Sequence, residues 1–212
     1  MSNTKDILSL SPIVPVIVIN RVEDAVPLAN AMVDAGFKTL EITLRTPEAL
    51  GAISRIKENV ENVVVGAGTV LNVRDVANAV SAGAEFLVSP GCTTSLLSAA
   101  LSTRLPFLPG VSTASEVMTV LERGLNCMKL FPAEASGGTA LLKALQGPFP
   151  QVSFCPTGGV SPANLDAYLA LNNVICVGGS WMIDKSAMER GDWDEVGRQA
   201  QFAMEACRKT NY

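Results

Sequence analysis

The chain has 212 residues, a formal net charge of −4 and only 17% charged residues. Its length fits one domain, and its hydrophobic content of 48% is enough to bury about 70% of the unfolded surface. The low content of charged residues and the negative net charge exclude a disordered chain and a nucleic-acid partner. Because the net charge is negative, any anionic ligand must be bound by local groups such as helix N-termini.

Short runs rich in Val, Ile and Leu alternate with amphipathic stretches of helical length along the chain. The helical stretches end at glycines, as at Gly36, Gly83 and Gly124, which is typical of helix C-termini. We predict eight strands, at residues 15–19, 39–43, 63–67, 86–89, 106–109, 127–131, 153–156 and 174–177.

This alternation predicts a parallel sheet with helical crossovers, and eight repeats favour a closed (β/α)8 TIM barrel of the α/β class over an open, doubly wound sheet. The first strand is followed by residues 20–23, which lack the glycine-rich dinucleotide fingerprint of a doubly wound fold. We predict a single domain over residues 1–212. An extra N-terminal helix before Pro12 is expected to close the barrel bottom, beside a last helix at 193–207.

Histidine is absent from the chain. Its absence excludes Ser-His-Asp and Cys-His catalytic systems and histidine metal ligands, so any acid or base is Glu, Asp, Lys, Tyr, Cys or water. The five cysteines lie far apart without a CxxC pair, which predicts buried thiols in a reducing cytoplasm and no metal site. The apolar run at 13–19 contains Pro15 and is too short for a membrane span, so we predict no membrane partner. The prediction of a cytoplasmic protein rests on the cysteines.

Lys129 is the single charged residue in the predicted apolar strand 127–131. Burial in an apolar pocket disfavours an ammonium, and a neutral amine can attack a carbonyl carbon. The position therefore predicts an imine-forming catalytic lysine. The alternative is a lysine whose aliphatic stem lies on apolar neighbours while its amine reaches water.

Glu41 lies in the middle of a predicted strand and shares one face with Thr39 and Thr43, because side chains alternate along a strand. That face is expected to be the barrel interior. An interior carboxylate near a lysine can act as a general acid and base. The alternative is a structural ion pair with Arg45 or Lys129.

Functional residues of such a barrel come from the carboxyl-terminal ends of the strands, which together form its mouth. Arg45 follows the second strand and offers a planar fork suited to a carboxylate. The alternative is a surface arginine paired with Glu48. Six predicted strand ends carry polar or glycine-rich groups, which predicts one mouth lined by a carboxylate, a guanidinium, a lysine, hydroxyls and backbone amides.

Two glycine loops follow the seventh and eighth predicted strands. Gly158-Gly159 precedes a helix start with Ser161 as cap and Pro162 at the first position, and Gly178-Gly179-Ser180 repeats the glycine pair. Loops at these two places commonly bind phosphate in barrels, so the pattern favours a phosphate site. The alternative is that the glycines only permit tight turns.

The chain carries six ordered motifs, at residues 14–17, 40–46, 66–72, 89–91, 129–134 and 154–159. Taken together they resemble the bacterial 2-keto-3-deoxy-6-phosphogluconate (KDPG) aldolases, which also act as 4-hydroxy-2-oxoglutarate aldolases. The resemblance implies a class I, Schiff-base lyase of the Entner-Doudoroff pathway that needs no cofactor and assembles as a homotrimer. Its substrates would be small 2-keto acids: KDPG, cleaved to pyruvate and glyceraldehyde 3-phosphate, and 4-hydroxy-2-oxoglutarate, cleaved to pyruvate and glyoxylate.

The resemblance also implies a role for each residue of the mouth. Lys129 would form the Schiff base, and Glu41 would be the general acid and base. One departure is Val18, which stands where some relatives have an arginine. The substrate-binding residues would be Arg45 and Thr69 for the pyruvoyl carboxylate, Pro90 and Phe131 for the shape of the pocket, Thr157 for stereochemistry at C4, and Gly158, Gly159, Gly179 and Ser180 for the phosphate.

Three other functions fit part of the same pattern. A metal-free phosphosugar isomerase or epimerase would share the phosphate loops but use carboxylate or cysteine bases. A pyridoxal phosphate protein would also need a lysine and a phosphate-binding site. A noncatalytic phosphosugar-binding module would need the loops alone.

Overall fold

The computed structural model describes residues 3–208 and has an α/β fold with a curled parallel sheet. The strands are β1 (Ile13–Ile17), β2 (Thr39–Thr43), β3 (Val64–Gly68), β4 (Leu87–Val88), β5 (Phe107–Leu108), β6 (Gly110–Val111), β7 (Cys127–Leu130), β8 (Ser153–Pro156) and β9 (Val177–Gly179). The helices are α1 (Thr4–Leu8), α2 (Ala25–Asp34), α3 (Ala49–Asn59), α4 (Val73–Ser81), α5 (Thr94–Ser102), α6 (Ala114–Leu121), α7 (Gly138–Gln146), α8 (Leu165–Leu169), α9 (Lys185–Arg190) and α10 (Trp193–Arg208).

The strands are hydrogen-bonded in two parallel sets that meet on both sides. One set has the order β5-β4-β3-β2-β1-β9 and the other β6-β7-β8. The chain runs directly from β5 to β6 through Pro109, whose carbonyl accepts a hydrogen bond from β7 at 2.9 Å. On the opposite side, two isolated bridges join the β8 and β9 segments, Phe154 with Val174 and Thr157 with Gly178. The sheet therefore curls around an interior.

The first strand lies two residues earlier than the predicted 15–19. The Thr43 hydroxyl donates to the Ile17 carbonyl at 2.9 Å, and the Thr46 hydroxyl donates to the Ile19 carbonyl at 2.5 Å. These hydroxyls thus bond to backbone carbonyls at the end of β1 and just beyond it. The prediction failed because it followed hydrophobicity and not the placement of hydroxyl donors.

Three predicted strands, 63–67, 86–89 and 127–131, differ from β3, β4 and β7 by at most one residue at an end, and two others differ by more. The segment 106–109 is replaced by two short strands, β5 and β6, because Pro109 has no N–H for the ladder and the chain changes partner there. The last strand was predicted at 174–177 but runs from Val177 to Gly179. Val174 contributes only an isolated bridge.

The short helix α1 covers the amino-terminal end of the curled sheet. The Thr4 hydroxyl donates to the Phe107 carbonyl at 3.3 Å, which fixes the helix against β5. Ile7 and Leu8 are buried in one cluster with residues in or next to the strands, namely Val14, Phe86, Val88, Leu108, Cys127, Cys155 and Cys176. Apolar side chains therefore fill the lower interior and leave polar groups to its upper end.

The last helix, α10, packs mainly against α2 on the outside of the sheet. The Ser11 hydroxyl, just after α1, lies 3.8 Å from the Met204 sulfur of α10. No helix in the described part of the chain, α10 included, is long and apolar enough to span a membrane.

Candidate active site

Lys129 and Glu41 meet in the interior of the curled sheet. The two residues are 88 positions apart, and Lys129 Nζ lies 3.2 Å from Glu41 Oε1. Lys129 is 4% exposed and Glu41 is 2% exposed. The amine therefore does not reach bulk water, which contradicts the alternative of an aliphatic stem with a solvated head. The same contact makes Lys129, and not Arg45, the ion-pair partner of Glu41.

This pair has the geometry for proton transfer to and from a buried amine. A carboxylate at hydrogen-bond distance can accept the ammonium proton and leave an amine that attacks a carbonyl. The ring centroid of Phe131 lies 5.5 Å from Lys129 Nζ and covers another side of it. The amine is thus held by one carboxylate and one aromatic ring in a dry environment.

Gly68 makes room for the Glu41 carboxylate. It lies on β3 opposite Thr43, and a Cβ added to it would stand 2.2 Å from Glu41 Oε1 and 2.5 Å from Glu41 Cγ. Such distances are far inside van der Waals contact, so any larger residue at this position must displace Glu41. Glycine is therefore required here because a side chain would collide with the Glu41 carboxylate, and not because the backbone makes a turn.

We expect the substitution Gly68→Ala to lower turnover roughly 10²-fold, because the added methyl moves Glu41 by about 1 Å from Lys129. Steady-state turnover and thermal unfolding of the purified variant measure the effect. The control is Gly147→Ala, where an added Cβ has no neighbour within 4 Å. Normal turnover in folded Gly68→Ala would show that the position of Glu41 is not critical.

Arg45 and Thr69 lie together at the mouth, beyond the ends of β2 and β3. Arg45 Nε donates to Thr69 Oγ1 at 3.1 Å, and no ion pair joins Arg45 to Glu48 within residues 3–208. Thr69 has φ 55°, a left-handed conformation that is rare for a β-branched residue and costs of order 1–3 kcal/mol. Such strain is typical of functional sites, and here it directs the hydroxyl towards the guanidinium.

A cavity of about 360 Å³ opens beside Arg45 and extends to Ser180. Its wall includes the half-buried side chain of Val18 on the chain after β1. Lys185, at the start of α9, also lines this cavity and was not singled out by the sequence analysis. The cavity thus connects the guanidinium after β2 with the serine that follows β9.

Pro90, Phe131 and Thr157 follow the ends of β4, β7 and β8. Pro90 packs against the backbone of Gly110, the residue opposite Lys129 in the β6–β7 pair. Thr157 is buried, and its hydroxyl lies 3.4 Å from the carbonyl of Cys155. Pro90 and Thr157 thus contact Gly110 and Cys155, the two residues that pair with Lys129 across the sheet, and Phe131 contacts the lysine directly.

The Gly158-Gly159 loop presents unpaired amides at the mouth. Both glycines have positive φ, 97° and 85°, and within residues 3–208 neither amide donates to a protein acceptor. Consecutive free amides of this kind form an anion-binding concavity. The carbonyl oxygens of the loop accept hydrogen bonds from neighbouring segments. The Thr157 carbonyl accepts from the Ala133 amide at 2.8 Å, the Gly158 carbonyl from the Glu134 amide at 3.0 Å, and the Gly159 carbonyl from Asn164 Nδ2 at 3.0 Å.

The second glycine loop stands at the end of β9. Gly179 is buried and lies against the indole ring of Trp181, while Ser180 is exposed. The bridge between Thr157 and Gly178 brings this loop next to the first. The two loops predicted to bind phosphate are therefore adjacent.

Cys92 and Cys176 are poorly suited to act as bases. All five are free thiols, four are buried, and Cys92 is half-buried, so the prediction of buried thiols is wrong for Cys92 alone. Burial raises the pKa of Cys92 to about 11. A hydrogen bond with Cys155, together with burial, raises the pKa of Cys176. Neither thiol is ionised near neutral pH, which weighs against an isomerase or epimerase with a cysteine base.

Two residues behind the glycine loop were missed by sequence reasoning. Glu134 belongs to the motif at 129–134 but carried no role, and Tyr168 lies in a helix without any polar pattern around it. In the structure the Tyr168 hydroxyl donates to Glu134 Oε1. A buried tyrosine has to find a partner for its hydroxyl, which is the one signal that points to such a pair.

Residues 4–199 match the family described as KDPG and KHG aldolase. The KHG/KDPG aldolase of Escherichia coli K12 is 49% identical over 207 residues, covering 98% of this chain and 97% of the relative. The KDPG aldolase of Legionella pneumophila, solved with pyruvate captured as a covalent carbinolamine, superimposes with TM-score 0.93 at 43% identity and covers 96% of this chain and 98% of the other. The Zymomonas mobilis KDPG aldolase with 3-phosphoglycerate gives TM-score 0.90 at 44% identity and covers 95% and 94%.

These matches and the fold define an enzyme of the aldehyde-lyase class with a parallel α/β sheet. The chain belongs to the KDPG/KHG aldolase family.

Proposed function

We propose that this enzyme is a class I aldolase that cleaves KDPG to pyruvate and glyceraldehyde 3-phosphate. We further propose that it cleaves 4-hydroxy-2-oxoglutarate to pyruvate and glyoxylate. The observation that carries the proposal is the buried contact of 3.2 Å between Lys129 Nζ and Glu41 Oε1. The covalent carbinolamine of pyruvate in the Legionella relative supports lysine-based chemistry of this kind.

The mechanism follows from this pair. Glu41 accepts a proton from Lys129, and the amine attacks the C2 carbonyl of the keto acid to form a carbinolamine. Glu41 gives this proton to the departing hydroxyl, so that loss of water leaves an iminium and a Glu41 carboxylate. The iminium accepts the electron pair of the C3–C4 bond when that bond breaks. Glu41 removes the C4 hydroxyl proton as the aldehyde forms, then returns a proton to C3 of the enamine. Hydrolysis of the new iminium releases pyruvate and restores the amine.

The remaining residues bind the substrate. Arg45 and Thr69 hold the pyruvoyl carboxylate, because the guanidinium supplies a planar pair of donors and already contacts the threonine hydroxyl. Pro90 and Phe131 shape the pocket around the imine, and Thr157 contributes to stereochemical choice at C4. The phosphate is bound by the free amides and the hydroxyl of the two glycine loops, Gly158, Gly159, Gly179 and Ser180.

We also propose a closed (β/α)8 barrel formed as a single domain by residues 1–212, with α1 as the extra N-terminal helix. Closure is supported by the continuous run from β5 to β6 and by the two bridges between the β8 and β9 segments. We also propose that the enzyme is a homotrimer and lies in the cytoplasm. The five unpaired thiols support a reducing compartment.

The test is the release of pyruvate from KDPG and from 4-hydroxy-2-oxoglutarate, read by a coupled lactate dehydrogenase reaction. We expect turnover on the order of 1–10³ s⁻¹ with at least one of the two substrates. Binding of KDPG without release of pyruvate would favour a noncatalytic module. Rearrangement of a phosphosugar without cleavage of a carbon–carbon bond would favour an isomerase.

A further inference from the structure

The side chain of Glu134 lies directly behind the Gly158-Gly159 loop. A Cβ added at Gly159 would stand 2.5 Å from Glu134 Cγ and 2.6 Å from Glu134 Cβ. The stem of Glu134 is thus in contact with the loop backbone, and the Glu134 amide donates to the Gly158 carbonyl at 3.0 Å. Glu134 therefore touches the loop through both its backbone and its side chain.

Tyr168 fixes the other end of this side chain. Its ring is fully buried under α8, at 0% exposure, and its hydroxyl donates to Glu134 Oε1. Burial, and then the hydrogen bond with Glu134, raise the pKa of Tyr168, so the hydroxyl keeps its proton and remains a donor. Because the ring is buried in the core, its hydroxyl is a positioned donor for the carboxylate.

The backbone of α7 closes over the same pair. A Cβ added at Gly138 would stand 3.0 Å from Glu134 Oε1 and 3.2 Å from the Tyr168 hydroxyl. The loop, α7 and α8 thus contact the Glu134 side chain on one side, while the residue as a whole remains exposed. No hydrogen bond in the described part of the chain joins Glu134 or Tyr168 to Lys129 or Glu41, so the pair is separate from the proposed imine chemistry.

We propose that Glu134 and Tyr168 are positioning residues that hold the Gly158-Gly159 loop in its anion-binding conformation and so set the preference for phosphorylated over unphosphorylated keto acids. This inference rests on the proposed phosphate role of the loop. Two glycines at positive φ are flexible by themselves, and amides bind an anion tightly only when they are already oriented. The buried tyrosine supplies that orientation through the Glu134 stem.

The substitution Tyr168→Phe in the full-length enzyme removes the hydroxyl and keeps the ring. We expect KM for KDPG to rise roughly tenfold, the effect of losing one hydrogen bond to a charged group. Turnover of 4-hydroxy-2-oxoglutarate and borohydride trapping of pyruvate are expected to stay within about twofold of the unmodified enzyme, since neither uses the phosphate loop.

Variants of Glu134 test the same contact without altering the core. Glu134→Ala removes the stem and the acceptor, so we expect a rise in KM for KDPG at least as large as in Tyr168→Phe. Glu134→Gln keeps the shape and a carbonyl acceptor, and we expect it to restore KM to within about threefold of the unmodified value. The control is Glu85→Gln, because Glu85 joins Val65 N–H at 3.2 Å and Lys57 at 2.8 Å away from the phosphate loop.

The outcomes separate the two proposals. Equal losses for both substrates in Tyr168→Phe, or no change for either, would overturn the positioning role. Inorganic phosphate should compete with KDPG in the unmodified enzyme, and competition should weaken in Tyr168→Phe. If phosphate and KDPG do not compete in the unmodified enzyme, the phosphate role of the loop fails first, and the positioning role fails with it.

Discussion

The substitution Lys129→Met abolishes pyruvate release from both keto acids. Methionine keeps most of the side-chain volume but has no amine, so neither the carbinolamine nor the iminium can form. The coupled lactate dehydrogenase assay measures the loss. In the unmodified enzyme, borohydride added with pyruvate should reduce the iminium and label the peptide that contains Lys129, as read by mass spectrometry. Full activity together with an unlabelled Lys129 peptide would overturn the imine mechanism.

The stability of this variant has to be separated from its chemistry. Removal of one partner of a buried ion pair costs about 3–5 kcal/mol, because the other partner, here the Glu41 carboxyl group, is left buried without it. We expect Lys129→Met to unfold at a lower temperature and the double variant Lys129→Met/Glu41→Gln to recover most of the loss. Both remain inactive. The control Lys57→Met removes an exposed pair with Glu85 and should cost no more than about 1 kcal/mol, with normal turnover.

The substitution Glu41→Gln lowers turnover by about 10² to 10⁴, the usual contribution of a general acid and base. The amide keeps the shape of the side chain but cannot take the proton of the C4 hydroxyl or return one to C3. Substrate binding is expected to persist, because the contacts of Arg45, Thr69 and the glycine loops are unchanged. Steady-state turnover gives the size of the effect.

Exchange of the pyruvate methyl protons with deuterated water provides an independent measurement for Glu41. This exchange requires proton transfer at C3 of the enamine, so it should slow by a similar factor in Glu41→Gln. The control is Glu195→Gln, a change in α10 on the outside of the sheet. Near-normal turnover and exchange in Glu41→Gln would assign the proton transfers to another group or to water.

The strands could be predicted where β-branched residues occupy the same positions that are hydrogen-bonded to neighbouring strands. The second strand is found at 39–43, as predicted, because alternation and hydrophobicity agree there. The last strand was placed too early because glycines have low strand propensity, although Gly178 and Gly179 pair with Val14 and Pro15 through the backbone alone. A strand that pairs through glycine backbone cannot be recognised from the hydrophobic pattern of the sequence.

The contact between Lys129 and Glu41 was within reach of sequence reasoning because both residues lie mid-strand, where alternation fixes the side-chain direction. The requirement for Gly68 and the pair of Glu134 with Tyr168 were not. Each depends on how closely two segments approach across the mouth or behind a loop. Such distances are set by tertiary packing, which one sequence does not specify.

The apolar cluster of Ile7, Leu8 and the lower interior closes the amino-terminal end of the curled sheet. The proposed active site is therefore open only at the mouth. Reactants and products must then use the same entrance at the opposite end of the strands. In the proposed mechanism pyruvate stays attached to Lys129 after the carbon–carbon bond breaks, so the aldehyde fragment is expected to depart before pyruvate is freed. In the direction of synthesis pyruvate must load first, and an aldehyde that enters early only blocks its path.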